Sequence, residues 1–100
     1  MARSNLSLDS VVVRAEGQLS ADLGDECVIL DSTKGFYYGL ERHGVLVWHL
    51  IQQPRRIVEL RDAILDEFEV ESARCERDLM ELLSELQGEG LIKLRRHTTA

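Results

Sequence analysis

The segment from Asp31 to Trp48, DSTKGFYYGLERHGVLVW, constrains the fold of this chain of 100 residues more than any other. An apolar run, ECVILD, ends at Asp31 and leads through the polar turn STKG into GFYYGL, which holds three of the five aromatic residues. Two short apolar runs joined by such a turn predict a β-hairpin, and a helix is expected to begin at Glu41. The second strand is short and flanked by Gly35 and Gly39. We therefore expect it at a sheet edge, where backbone groups lack a partner.

Composition limits the class of protein. A chain of 100 residues with 44% hydrophobic residues suits one small domain. No run approaches the roughly 18 continuous apolar residues of a membrane span, and MARSNLSLDS lacks the apolar centre of a secretory signal. We therefore expect a cytoplasmic protein.

The two cysteines predict neither a metal site nor a disulfide. Cys27 and Cys75 belong to no CxxC motif or Cys/His cluster, and a cytoplasmic setting keeps thiols reduced. Both are interpreted as small buried residues. The position of Cys75 near a helix start would lower its thiol pKa.

Three strands are predicted ahead of three helices. The strands are Val11 to Arg14, Glu26 to Leu30 and Gly35 to Leu40, with a loop over Gly17 to Asp25 and a short closing strand over Leu91 to Leu94. The run from Glu26 to Leu30 is apolar on both faces, which predicts a strand covered on both sides. Residues 1–9 and 95–100 are expected to fray.

The helices are predicted from apolar spacing and from their end signals. They run over Glu41 to Gln53, Ile57 to Phe68 and Ala73 to Gln87, with Ser72 as the N-cap of the third. In the first helix, Val47, Trp48 and Ile51 form the buried stripe, and Gly44 permits close packing against the hairpin. In the third, the main stripe is expected at Cys75, Leu79, Leu82 and Leu86, and Met80 and Leu83 widen the apolar surface.

These elements predict an α+β fold of the winged helix-turn-helix type, with a three-stranded antiparallel sheet followed by three helices. Such folds serve DNA readers and protein-binding modules alike. From Glu71 to Leu91 the chain has six acids against two bases, a balance of −4 that repels phosphates. Basic residues cluster only at Arg55-Arg56 and at Lys93, Arg95 and Arg96, where we expect a solvated chain end. The alternative interpretation is a winged-helix DNA-binding regulator, which this charge balance disfavours. A third interpretation is a purely structural subunit of a larger enzyme.

No arrangement of residues predicts catalysis. His43 and His49 lie six positions apart and do not share a helix face, and no phosphate loop, glycine fingerprint or HExxH motif occurs. What remains is a surface for a peptide. The aromatic strand offers backbone groups for strand addition, and the third helix offers an apolar wall of Leu79, Met80, Leu82 and Leu83.

The runs ILDSTKGFYYGLERHGVLVWHLI, IVELRDAILDEFEVE and CERDLMELLSELQGEGLIKL together resemble the PqqD-like proteins. These are precursor-peptide recognition elements of ribosomally made, post-translationally modified peptides (RiPPs). Over about Glu26 to Leu94, the sequence most resembles the small stand-alone protein of lasso-peptide gene clusters. The resemblance implies a winged fold without catalytic activity or cofactor. It also implies that a leader peptide adds as an antiparallel strand to the third strand and leans on the third helix.

Together, the residue pattern and the resemblance give a set of candidate peptide-binding residues. They are Lys34, Gly35, Phe36, Tyr37, Tyr38, Gly39, Arg74, Cys75, Asp78, Leu79, Leu82 and Leu83. The partners implied by the resemblance are a precursor leader, a leader peptidase and a cyclase, without nucleic acid or membrane. An exposed strand edge also leaves pairing between two copies open.

Overall fold

The computed structural model of the chain describes residues 6–31 and 34–95. Within these residues the chain forms two three-stranded antiparallel sheets and three helices. In chain order the elements are β1 (Val11–Arg14), β2 (Leu19–Leu23), β3 (Glu26–Asp31), β4 (Phe36–Glu41), α1 (His43–Leu50), β5 (Arg55–Arg56), α2 (Ile57–Glu67), α3 (Ser72–Gly88) and β6 (Ile92–Arg95). None of the described helices is long and apolar enough to cross a bilayer.

The α+β class is confirmed, but the strands are shared between the sheets differently from the prediction. β1 pairs with β5 and β6, whereas the predicted hairpin of β3 and β4 takes β2 as its third strand. The loop predicted over Gly17 to Asp25 is therefore wrong. β2 lies inside it: Leu19, Ala21 and Leu23 alternate with polar residues, a strand pattern that the glycines of this segment obscured. Gly24, with φ +74°, opens the two-residue turn to β3, as type II′ hairpin turns require.

The segments on either side of the described core, residues 6–10 and 91–95, are tied to it by backbone hydrogen bonds. The carbonyl groups of Leu8 and Ser10 accept hydrogen bonds of 2.9 Å from the amides of Val58 and Ile57, which satisfies the start of α2. Residues 7–10 thus have hydrogen-bond partners in the fold, the expected fraying stays a prediction, and residues 1–5 and 96–100 lie outside the described part. After α3, the Leu91 amide donates to the Leu86 carbonyl at 2.9 Å, a helix ending that returns the chain alongside β1. The closing strand is confirmed one residue later than predicted.

The first helix is shorter than predicted at both ends: Glu41 still belongs to β4, and the helix ends at Leu50 rather than at Gln53. Arg42, with φ 54°, then turns the chain into α1. A Cβ at Gly44 would lie 3.1 Å from Leu40 Cδ2, so the predicted close packing of helix and hairpin is confirmed. The predicted cap at Ser72 is wrong: Glu71 is the N-cap of α3, without a side-chain cap bond.

The core lies between the inner face of the β2–β3–β4 sheet, the three helices, and β1 with β6. Val47, Trp48 and Ile51 are buried as predicted. On α3 the prediction exchanged two neighbours: Leu83 is fully buried, and Leu82 is only half-buried. Adjacent leucines lie about 100° apart around a helix, so one of them must leave the buried stripe.

Both cysteines are free and buried. Burial raises the pKa of the Cys75 thiol, so the lowered value expected near a helix start is wrong. The physical reason is that Cys75 faces the core rather than the helix end. Burial likewise raises the pKa of Cys27.

Candidate functional site

β4 lies at the edge of its sheet, as predicted. The strand order is β2–β3–β4, and within the described residues β4 pairs with β3 alone. In an antiparallel ladder, every second residue directs its N–H and C=O away from the neighbouring strand. Half of the backbone groups of β4 are therefore directed to the free edge.

The side chains of β4 alternate between two environments. Phe36, Tyr38 and Leu40 lie on the inner face, where Leu40 is buried and the two aromatic rings are half-buried. Tyr37 and Gly39 lie on the outer face, and Tyr37 is 72% exposed. A chain added to the free edge would thus meet a partly accessible aromatic surface on the inner side.

One stripe of α3 lies on the β4 side of the helix, since Glu85 contacts Tyr38, and Arg74 and Asp78 line one cleft with Glu41. It comprises Arg74, Asp78, Leu82 and Glu85, which follow one another at spacings of four, four and three. The Tyr38 hydroxyl donates to the Glu85 carboxylate, joining strand and helix. Partial burial and this carboxylate raise the pKa of Tyr38 to about 12, so the hydroxyl remains a donor at neutral pH.

The groove between β4 and α3 differs at its two ends. At the hairpin turn, Lys34 Nζ donates to the Glu89 carbonyl at 2.9 Å and ties the turn to the end of α3. At the other end the groove opens into a cleft of about 810 Å³ near the start of α3. Its lining residues are Glu41, Arg42, His43, Glu67, Phe68, Glu69, Val70, Glu71, Arg74 and Asp78. Because β4 runs from the closed end to the open end, it is antiparallel to α3.

The cleft is acidic and has an aromatic wall. Five carboxylates line it against two guanidinium groups, Arg42 and Arg74. The rings of His43 and Phe68 meet edge to face, with centroids 4.3 Å apart. Arg74 Nε lies 3.6 Å from the Asp78 carboxylate and offsets only part of the negative charge. Within the described residues, no group of three His, Cys, Asp or Glu side chains could hold a metal ion.

The structure brings only part of the predicted residue set to the groove. Arg74 and Asp78 are exposed on the α3 stripe, and Leu82 is half-buried there. Cys75, Leu79 and Leu83 are at most 3% exposed and belong to the core.

Two further residues of the predicted region lie elsewhere. Gly35, with φ +73°, forms the hairpin turn. Met80 lies on the opposite flank of α3, beside Leu6 and Arg77. The sequence reasoning missed the cross-groove contacts of Glu85 and Glu89, although the same helical spacing that relates Arg74, Asp78 and Leu82 extends to Glu85.

The outer face of the β2–β3–β4 sheet is a second surface, and it is apolar. The exposed large hydrophobic residues of the described chain all lie on it: Leu19 at 66%, Leu23 at 58%, Leu30 at 42% and Tyr37 at 72%. Leu19, Leu30 and Tyr37 are direct neighbours across the three strands. The expectation that β3 is covered on both sides is therefore wrong, because this face is open.

Comparison with known proteins identifies the chain. The family model described as coenzyme PQQ synthesis protein D (PqqD) matches residues 26–92, about two thirds of the sequence. The chain belongs to the PqqD family. The matched span contains β3, β4 and all three helices, and hence both walls of the groove. No curated protein sequence matches the chain.

A solved structure, TbiB1 in complex with the TbiA(beta) leader peptide, matches this PqqD-family chain with a TM-score of 0.74 and 32% sequence identity. The match covers 87% of this chain and 99% of TbiB1. Together with the family match, it confirms the resemblance to precursor-peptide recognition elements that the sequence indicated.

Proposed function

We propose that this chain is a non-catalytic adaptor that binds the leader segment of a ribosomally made precursor peptide. The observation that carries the proposal is the free edge of β4 facing the α3 stripe across an open groove. The similar structure of TbiB1 with a bound leader peptide supports it. The proposed role requires binding and release of a peptide.

In the proposed complex the leader lies antiparallel to β4 as a fourth strand of the sheet. Backbone hydrogen bonds to the free edge would supply affinity at about 0.5–1.5 kcal/mol each. Every second leader side chain would point inward, toward Tyr38 and Leu82. These inward side chains would provide the selectivity, since the backbone bonds are the same for any sequence.

The geometry of the groove gives the proposed leader a direction. Because β4 runs toward the cleft, an antiparallel leader has its N-terminal part at the cleft and its C-terminal part at Lys34. The excess of carboxylates in the cleft favours leaders with a basic residue on the N-terminal side of the added strand. The segment to be processed would leave the groove at the hairpin turn.

We further propose that the pathway is that of a lasso peptide and that the adaptor presents the bound precursor to a leader peptidase and a cyclase. The apolar outer face supports a protein partner, since an exposed apolar patch of this kind often marks an interface. A leader beside β4 would extend this face by one strand. The peptidase would then contact the adaptor and outward leader side chains together.

Titration of the ¹⁵N-labelled chain with the leader of the precursor encoded beside its gene tests the proposal. We expect amide shifts concentrated in β4 and along α3 from Arg74 to Glu85. A spin label on the leader N-terminus should broaden signals near Arg74, and one on its C-terminus signals near Lys34. Absence of binding would contradict the adaptor function, and the reverse broadening pattern would contradict the direction alone.

A further inference from the structure

Two basic clusters that are far apart in the sequence meet on the outer face of the β5–β1–β6 sheet. Val11 pairs with Arg56 on one side and with Arg95 on the other, and Val13 pairs with Lys93. Residues directly opposite one another share a face of the sheet. The opposite face carries Val12 and Ile92 into the core, so the three cations project outward.

These cations are incompletely neutralised. Arg56 contacts the Asp9 carboxylate at 2.9 Å. Lys93 and Arg95 are exposed and form no ion pair with any residue that the structure describes. They lie two positions apart on β6, about 6.6 Å along the strand. Like charges at this separation repel, and a bound anionic partner would remove that repulsion.

A shallow basin adjoins this basic face. Its volume is about 550 Å³, and Lys93 and Arg95 line it together with the apolar residues Val13 and Pro54; Leu94, which also borders it, pairs with Val12 and packs against the core. Arg14 also lines it, but its Nε donates to the Trp48 carbonyl at 2.9 Å. Glu16 is the one acid in the lining, in a chain whose net charge is −6. The basin thus combines free positive charge with an apolar wall.

We propose that this face binds an acidic segment of a partner protein. Carboxylates of the segment would pair with Lys93 and Arg95, and an apolar side chain beside them would occupy the basin. This site is separate from the leader groove and lies on the other sheet. It goes beyond the proposed adaptor function, since it would tether the chain whether or not a leader is bound.

Charge complementarity favours a protein segment over nucleic acid. Three cations are few beside the roughly 6–10 phosphate contacts typical of DNA binding. The rest of the chain is acidic and would repel a long phosphate backbone, whereas a short acidic segment meets only the local positive charge. An apolar basin also suits a protein side chain.

A model peptide of six glutamates around a central leucine, capped at both ends, tests the proposal by titration of the ¹⁵N-labelled full chain. We expect amide shifts at Val11, Val13 and Lys93, with an affinity that falls as salt is added. Lys93→Glu should weaken binding about fivefold. Arg77→Glu, the same charge change on α3, should weaken it less than twofold, and spectra of both variants establish that they are folded.

Three outcomes would overturn the proposal. The first is the absence of shifts on the β5–β1–β6 sheet at saturating peptide. The second is an equal loss of affinity in Lys93→Glu and Arg77→Glu, which would indicate general attraction to the chain. The third is tighter binding of random duplex DNA at the same residues, which would make nucleic acid the ligand.

Discussion

Two neighbouring leucines of α3 separate the stability of the fold from the affinity of the groove. Leu83 is fully buried, whereas Leu82 is half-buried on the stripe that faces β4. Leu83→Ala should lower the free energy of unfolding by about 3 kcal/mol, since it removes a fully packed side chain and leaves a cavity. Leu82→Ala should lower it by only about 1 kcal/mol, because part of that side chain already contacts water and its loss leaves no enclosed cavity.

The order of the two effects reverses for leader binding. A leader in the groove would bury the exposed part of Leu82, a contribution of about 1 kcal/mol. Leu82→Ala should therefore raise the Kd about fivefold. Leu83 lies beneath the surface, so Leu83→Ala should change the Kd of the folded protein less than twofold.

Urea unfolding followed by circular dichroism gives the stabilities, and anisotropy of a labelled leader gives the affinities at a temperature where both variants are folded. An unchanged slope of unfolding free energy against urea would establish that the alanines act on the native state. An unchanged Kd for Leu82→Ala, together with a weakened Leu83→Ala, would refute a leader contact on the α3 stripe.

Three further predictions concern the surroundings of the groove. Tyr38→Phe should lower the free energy of unfolding by about 1 kcal/mol at pH 7, because the hydrogen bond to Glu85 is lost. Because the pKa of Tyr38 is raised to about 12 in the folded chain, the stability difference between wild type and variant, measured by urea unfolding, should shrink as the pH rises from 10 to 12. A difference that stays constant over this range would refute this prediction. Gly44→Ala should lower the free energy of unfolding by a net amount of about 1 kcal/mol. The added Cβ would lie 3.1 Å from Leu40, and this crowding outweighs the gain of about 1 kcal/mol in helix propensity. A variant more stable than wild type would contradict this prediction. Both thiols should react with a disulfide reagent at pH 8 only as fast as the chain unfolds, and a fast-reacting thiol would count against their burial.

The hairpin and the helices could be predicted because their signals are local. The turn before Phe36, the apolar spacing in α2 and the two glycines around the end of α3 each act over a few residues. β2 was missed although LSADL alternates apolar and polar residues, because the glycines of the segment favoured a loop; its strand conformation is completed by the ladder with β3. The pairing of β1 with β6 joins chain segments about 80 residues apart, and periodicity carries no such information.

The candidate site was predictable in outline. The residue pattern correctly predicted that Tyr37 and Tyr38 lie on an edge strand. Arg74 and Asp78 were named as candidate residues only through the family resemblance. The helix contacts depended on choosing between Leu82 and Leu83, which the tertiary packing decides. Glu85 was missed because an acid on an amphipathic helix is typically solvated, and only the fold brings the Tyr38 hydroxyl to it.

Amide hydrogen exchange of β4, with and without the leader, tests strand addition most directly. In the free chain the amides directed to the open edge should exchange quickly, while those bonded to β3 are already protected. We predict that bound leader protects every second amide from Phe36 to Glu41. If the leader binds but the exchange rates of all β4 amides stay the same, the central claim is contradicted, because the peptide then lies elsewhere on the protein.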